Sequence, residues 1–174
     1  MERLIYFFYI FFQGILVFQA AVFIYIYHAS GKKELLHYAI FLLLIAVNFL
    51  ISDPSTFGLG ADEEVLNSIW YNFINTPLVI LANLFYVLFL TGFYRTLTSN
   101  ATFFSILKTV KYFLLIALVL FLVLYAGGIH SNLLFNIINF VGVVVGIWLV
   151  IIIIKERMPY TRFMALGFIL NLCG

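Results

Sequence analysis

Residues 24–41 read IYIYHASGKKELLHYAIF, and this stretch shows how the chain is organised. Two apolar segments flank a short polar one that carries His28, Lys32, Lys33, Glu34 and His37. Two interpretations compete for the polar cluster. It is either a site for metal or proton chemistry, or a turn where the chain leaves a membrane and re-enters it.

The composition of the chain favours the membrane. Hydrophobic residues make up 66% of the 174 residues and charged residues 9%, and the mean hydropathy is +1.18. An ordinary soluble domain has about 45–50% apolar and about 25% charged residues, so no water-soluble fold would bury this much apolar surface. A net charge of +2 without a basic patch argues against nucleic-acid binding. The single cysteine, Cys173, excludes an intrachain disulfide and a cysteine-rich zinc site.

Six apolar segments follow one another along the chain. A helix needs about 20 residues to cross a hydrocarbon core of about 30 Å, and only the last segment is too short. Backbone groups in lipid must pair internally, and no alternating polar pattern indicates a barrel. We therefore predict an all-α, polytopic membrane helix bundle with five full transmembrane helices and a sixth truncated by the end of the sequence. The single domain, residues 1–174, has no soluble part, and its predicted helices cover about residues 4–27, 36–51, 69–93, 107–125, 133–154 and 163–174.

The distribution of basic residues predicts the orientation. If Met1 is outside, all nine lysines and arginines except Arg3 fall on the inner side. Membrane proteins keep lysine and arginine on the cytoplasmic side. The opening cluster is then a cytoplasmic turn anchored by its lysines. The basic residues on the inner side are Lys32, Lys33, Arg95, Lys108, Lys111, Lys155, Arg157 and Arg162.

The histidines and acids fit this interpretation better than a metal site. His28 and His37 lie at the ends of two helices, and a site that used Glu34 as third ligand would need all three to face each other. Interfacial histidines are common at such places. We also find no Ser/His/Asp set, paired intramembrane carboxylates or phosphate loop. The sequence therefore predicts a protein that is not an enzyme and that binds no metal or cofactor.

Polar residues form a stripe on the third predicted helix. Asn72, Thr76 and Asn83 recur at i, i+4 and i+11 and share one face. Such a face is expected to meet other helices or a ligand.

The fifth predicted helix carries a second stripe. Asn132, Asn136, Asn139, Gly142 and Gly146 fall within an arc of roughly 120°, and the two glycines form a GxxxG pattern that lets backbones approach closely. Packing within the bundle is the favoured interpretation, and a homodimer seam or a ligand wall is the alternative.

Three stretches resemble a known family. They are YFFYIFFQGILVFQAAVFIYIYHASGKKELLHYAIFLLLIAVNFL (residues 6–50), LFLTGFYRTL (88–97) and KERMPYTRFMALGFILNLCG (155–174). The glycine-bearing aromatic helix, the short charged turn and Tyr38-Ala39 resemble the opening of bacterial seven-transmembrane receptors with diverse intracellular signalling modules. The basic turn with Pro159 and Arg162 resembles the entry of that family into its sixth helix.

The resemblance implies a sensor of the bacterial inner membrane. It would relay an external or membrane-borne cue to a cytoplasmic kinase or cyclase module outside this sequence, with membrane lipids and a possible homodimer as further partners. The alternative is a fragment of a transporter or membrane-embedded enzyme. Inverted repeats, broken helices or buried charges would favour it, and Pro77 is the one such feature in the sequence.

Overall fold

A computed structural model describes residues 2–52, 69–95, 101–128, 136–137, 140–144, 147–148, 151 and 155. Four helices account for most of them: α1 (Glu2–Ser30), α2 (Lys33–Ser52), α3 (Ile69–Arg95) and α4 (Ala101–Ala126). The separate described residues between 136 and 155 are helical as well. The all-α prediction is confirmed for this part of the chain. The predicted external segment at residues 53–68 and the predicted sixth helix lie outside the described residues.

All four helices are long and apolar enough to cross a membrane. Each is longer than the apolar segment from which we predicted it; α4, for example, begins at Ala101 and not near residue 107. The helical backbone continues past the apolar run because its hydrogen bonds do not depend on apolar side chains. A polar side chain is also accommodated within a helix when it bonds to the helix backbone. The Thr109 hydroxyl, for example, donates a hydrogen bond of 3.0 Å to the carbonyl of Ser105.

The turn between α1 and α2 owes its shape to one glycine. Gly31 has a φ of 68°, in the left-handed region that glycine enters without steric cost. Its N–H donates a 2.7 Å hydrogen bond to the carbonyl of Tyr27, as in a left-handed helix cap. Leu35 N–H then donates to the carbonyl of Lys32 at 3.1 Å, which starts α2 at once. Within residues 24–41, the connection between the two membrane helices is therefore only two residues long, Gly31 and Lys32.

The helices pack in chain order as antiparallel neighbours. Ring contacts link Phe23 to Tyr38 across α1 and α2, and Tyr38 to Phe89 across α2 and α3. Tyr94 and Phe103 touch at one end of α3 and α4, and Phe73 and Tyr125 touch at the other. The most extensive contact joins α2 to α3. The α1–α2 turn, the end of α3 and the start of α4 therefore lie at the same end of the bundle, which we call the charged end because it carries Lys32, Lys33, Glu34 and Arg95.

The core consists of two clusters. The first lies between α3 and α4, and Ile80, Tyr94, Phe103 and Leu107 are completely buried in it. The second joins α1, α2 and α3 and uses small residues at its centre. Alanines at such positions let helices approach closely, which is how helices associate in lipid. The alanines of this cluster are Ala20, Ala46 and Ala82, each no more than 3% exposed.

Candidate functional site

Two helices, α2 and α3, approach each other closely at the charged end. A β-carbon added to Gly92 would lie 2.9 Å from the β-carbon of Glu34 and 3.7 Å from its α-carbon. Real side chains do not approach that closely, so only glycine fits at this position without moving the neighbouring helix. Glu34 begins the first turn of α2, where its negative charge is favourable to the helix dipole. The α2–α3 contact thus joins a charged turn directly to the backbone of α3.

Aromatic rings extend this contact across all four helices. Phe23 of α1 packs against Tyr38 of α2 at 4.8 Å between ring centroids, and Tyr38 packs against Phe89 of α3 at 4.6 Å. From Phe89 the contacts continue along α3 to Tyr94, whose ring lies 5.3 Å from that of Phe103 on α4. Aromatic pairs add roughly 0.5–1.5 kcal/mol each beyond their buried area. We call this set, Phe23, Tyr38, Phe89, Phe93, Tyr94 and Phe103, the aromatic network.

Two polar atoms are buried near this network. The Tyr94 hydroxyl and His37 Nδ1 have no hydrogen-bond partner among the described residues. Leaving a buried polar group unpaired costs about 1–3 kcal/mol.

A polar contact joins α1 and α2 nearer the opposite end. The Gln13 side-chain amide donates a hydrogen bond to the backbone carbonyl of Ala46. Gln13 Oε1 and Asn48 Oδ1 are buried without a partner among the described residues. An amide in an apolar helix packs toward other helices because lipid offers it no hydrogen bond.

A cleft with two cations opens between α3 and α4. Its volume is about 280 Å³. Lys108 and Lys111 line it together with apolar side chains and one hydroxyl, and both lie inside the span of α4 that is long enough to cross a membrane. The apolar and hydroxyl residues of the cleft are Leu88, Thr91, Phe104 and Leu107.

The residues of the polar stripe predicted on the third helix, which is α3, lie in two different environments. Thr76 is 5% exposed and belongs to the buried part of α3, next to Pro77 inside the helix. Asn83 is half-buried and donates a 2.9 Å hydrogen bond to the Val79 carbonyl, so its amide N–H is used within its own helix. Asn72 is in α3, and its side chain is outside the described part.

The fifth-helix stripe is described only in part. Asn136 and Gly142 are helical and exposed, and a β-carbon on Gly142 would meet no atom within 4 Å. Asn132, Asn139 and Gly146 lie outside the described residues. The proposed packing role of this face stays a prediction.

The two histidines of the turn lie in unlike surroundings. His28 is exposed beside Tyr27, whereas the half-buried His37 ring lies 6.1 Å from the ring of Phe85 on α3. The described residues contain no group of three or more histidine, cysteine, aspartate or glutamate side chains that could hold a metal ion. The absence of metal binding in the whole chain stays a prediction.

Sequence reasoning missed the three features on which this site depends. No feature of the sequence pairs Gly92 with Glu34, because the residues that face each other depend on the register of α2 against α3. The aromatic network was hidden among 21 phenylalanines and 11 tyrosines. Lys108 and Lys111 were counted only as inner-side charges, although two cations three residues apart within an apolar segment are a signal of an intramembrane site.

Comparison with known proteins agrees with this architecture. The model of the family described as 7TM diverse intracellular signalling matches residues 5–174. No curated protein and no solved structure matches the chain. Its long apolar helices and the match over nearly the whole sequence lead to one conclusion: the chain belongs to the 7TM diverse intracellular signalling family and is a multi-pass transmembrane domain of the receptor type.

Proposed function

We propose that this domain senses an external or membrane-borne cue and relays it to a cytoplasmic kinase or cyclase module outside residues 1–174. The observation that carries the proposal is the tight α2–α3 contact at Gly92 and Glu34, from which the aromatic network reaches α1 and α4. Membership of the family indicates the class of function, and the α2–α3 contact is a place where a movement of one helix would displace the others.

The relay follows from the way packed helices move. Closely packed interfaces change between discrete arrangements because their side chains interdigitate and do not deform smoothly. A shift of α2 would separate Tyr38 from Phe89 and Glu34 from Gly92 together, since all four lie at the charged end. A small displacement of α2 near Gln13 and Asn48 would therefore change the packing of α2 against α3 beside the α1–α2 turn.

Several finer features belong to the same proposal. The domain lies in the bacterial inner membrane with Met1 outside, and it crosses the membrane at least five times. The stripe of Asn136, Asn139, Gly142 and Gly146 packs against another helix of the bundle or of a second copy. Its small and amide side chains suit a contact between helices in lipid.

The orientation is tested by cysteine labelling. Single cysteines at Ser30 and Ala61, in a Cys173→Ser background, should label oppositely with an impermeant thiol reagent in intact cells, Ala61 from outside and Ser30 only after lysis. The reason for this expectation is that eight of the nine lysines and arginines fall on the inner side if Met1 is outside. Labelling of position 30 in intact cells would reverse the proposed orientation.

The signalling role is tested on the full-length protein. Its continuing reading frame should encode a seventh helix followed by a kinase, cyclase or phosphatase module; six further spans would favour a transporter. Gly92→Ala should change the output activity in membranes, because the added β-carbon would force α2 and α3 to shift at this contact. Gly14→Ala, whose β-carbon meets no atom within 4 Å, should leave the output unchanged. Equal output from wild type and Gly92→Ala would contradict a relay through this contact.

A further inference from the structure

The two lysines of the α3–α4 cleft lie too far inside α4 to belong to a loop. The helix continues for 15 residues from Tyr112 to Ala126, which is roughly 22 Å at 1.5 Å per residue. A hydrocarbon core is about 30 Å thick. If α4 crosses the membrane, Lys111 is therefore within the hydrocarbon or at its edge, and Lys108 is one turn nearer the charged end.

The side chains of these lysines reach back toward that end. Side chains on a helix tilt toward its N-terminus, and long cationic side chains extend to the interface while their apolar stems stay in lipid. Both ammonium groups therefore approach the phosphate level of the membrane leaflet at the charged end. Both lysines also line the cleft between α3 and α4.

The cleft offers positive charge and no counter-charge of its own. Among the described residues, none of those that line it is acidic. The Thr91 hydroxyl already donates a 2.7 Å hydrogen bond to the Val87 carbonyl, so the lysines are the donors for a ligand. Lys111 Nζ lies 5.0 Å from the centre of the Tyr112 ring, a contact that does not neutralise its charge. Neither ammonium group has an anionic partner among the residues that line the cleft, so an anion at the level of the lipid phosphates is expected here.

The surface of α4 between the cleft and the opposite end of the bundle is apolar, and the acyl chain of a lipid held at the cleft would lie along it. Leu115 and Leu122 follow Lys108 at i+7 and i+14 and so share its face of α4. Both are exposed, at 39% and 45%. The face thus presents cations near the charged end and exposed leucines toward the opposite end, which matches an amphiphile that has an anionic headgroup and acyl chains.

We propose that the α3–α4 cleft binds an anionic phospholipid from the leaflet at the charged end. Lys108 and Lys111 bind the phosphate of the headgroup, and the acyl chains lie along Leu115 and Leu122. The cleft has about the volume of the smallest ligand pockets, so it holds a headgroup and not a whole lipid. This proposal concerns lipid binding alone and does not depend on an output module.

The experiment measures thermal stability of the purified chain in detergent during titration with phosphatidylglycerol. The wild-type melting temperature should rise with lipid concentration, because a ligand that binds only the folded state stabilises it. In Lys108→Gln/Lys111→Gln the apparent affinity should fall about 30-fold, since each lysine near an anionic surface contributes a factor of roughly 5. The matched control is Lys32→Gln/Lys33→Gln, which removes the same charge at the same end and should retain the wild-type response.

Each other outcome contradicts the proposal in a defined way. Equal stabilisation by phosphatidylcholine would show that charge is not recognised, and equal stabilisation by glycerol phosphate would show that the ligand is a soluble anion. An unchanged lipid response in the cleft variant would show that the lipid binds elsewhere and that Lys108 and Lys111 do not hold its phosphate. If that variant does not fold, Lys108→Arg/Lys111→Arg and Leu88→Trp replace it: the first should keep the response, and the second, which fills the cleft, should lose it.

Discussion

Replacement of Gly92 by alanine is expected to lower the free energy of unfolding by about 1–3 kcal/mol, the usual cost of overpacking a tight contact. The added β-carbon would lie 2.9 Å from Glu34 Cβ, and that atom is fixed to the backbone of α2, so the helix itself must move. The loss should appear although alanine is the better helix former by about 0.8–1.0 kcal/mol in peptides. Leucine at the same position should prevent the α2–α3 contact.

Thermal or denaturant unfolding in detergent measures this effect, and Gly14→Ala is the matched control. Gly14 is also inside a membrane helix, but a β-carbon there meets no atom within 4 Å. Alanine at position 14 should therefore be neutral or slightly stabilising. Equal stability of the two variants would mean that α2 and α3 are not in close contact at Gly92.

Truncation of Phe103 to alanine is expected to cost about 3 kcal/mol, at the lower end of the range for buried phenylalanines. Phe103 is completely buried and packs against Tyr94 on α3 and Phe104 on its own helix. The lower end is appropriate because apolar surface in a lipid bilayer is not returned to water. What is lost is the packing of the ring and the contact that joins α4 to the aromatic network.

The control for this variant is a phenylalanine that faces outward. Phe18 on α1 is 70% exposed, so Phe18→Ala removes the same group from a place where lipid replaces the lost contacts. Its unfolding free energy should stay within about 0.5 kcal/mol of wild type, as for other surface substitutions. If the two variants lose the same stability, Phe103 does not pack in a core between α3 and α4.

The sequence by itself determined the class of structure. The apolar segments and their lengths required membrane helices, because backbone groups in lipid have to be paired within each segment. It also indicated the turn around Gly31 and the family, both of which were confirmed. The helices and the turn are local features, each of which depends on the residues of one segment or on the short stretch between two; the family is indicated by the order of such segments along the chain.

Only the tertiary structure decided which residues form the candidate site. In water a helix marks its buried face by an apolar stripe, but lipid is as apolar as leucine, so a membrane helix carries no such mark. Phe103 and Phe18 are the same residue in equally apolar helices, yet the first is completely buried and the second is 70% exposed. Likewise, Gly14 and Gly92 differ only in what faces them, and the close approach of Glu34 to Gly92 arises from the register of α2 against α3. That register is set by the fit of small and aromatic side chains between helices, a property of the pair that neither segment contains alone.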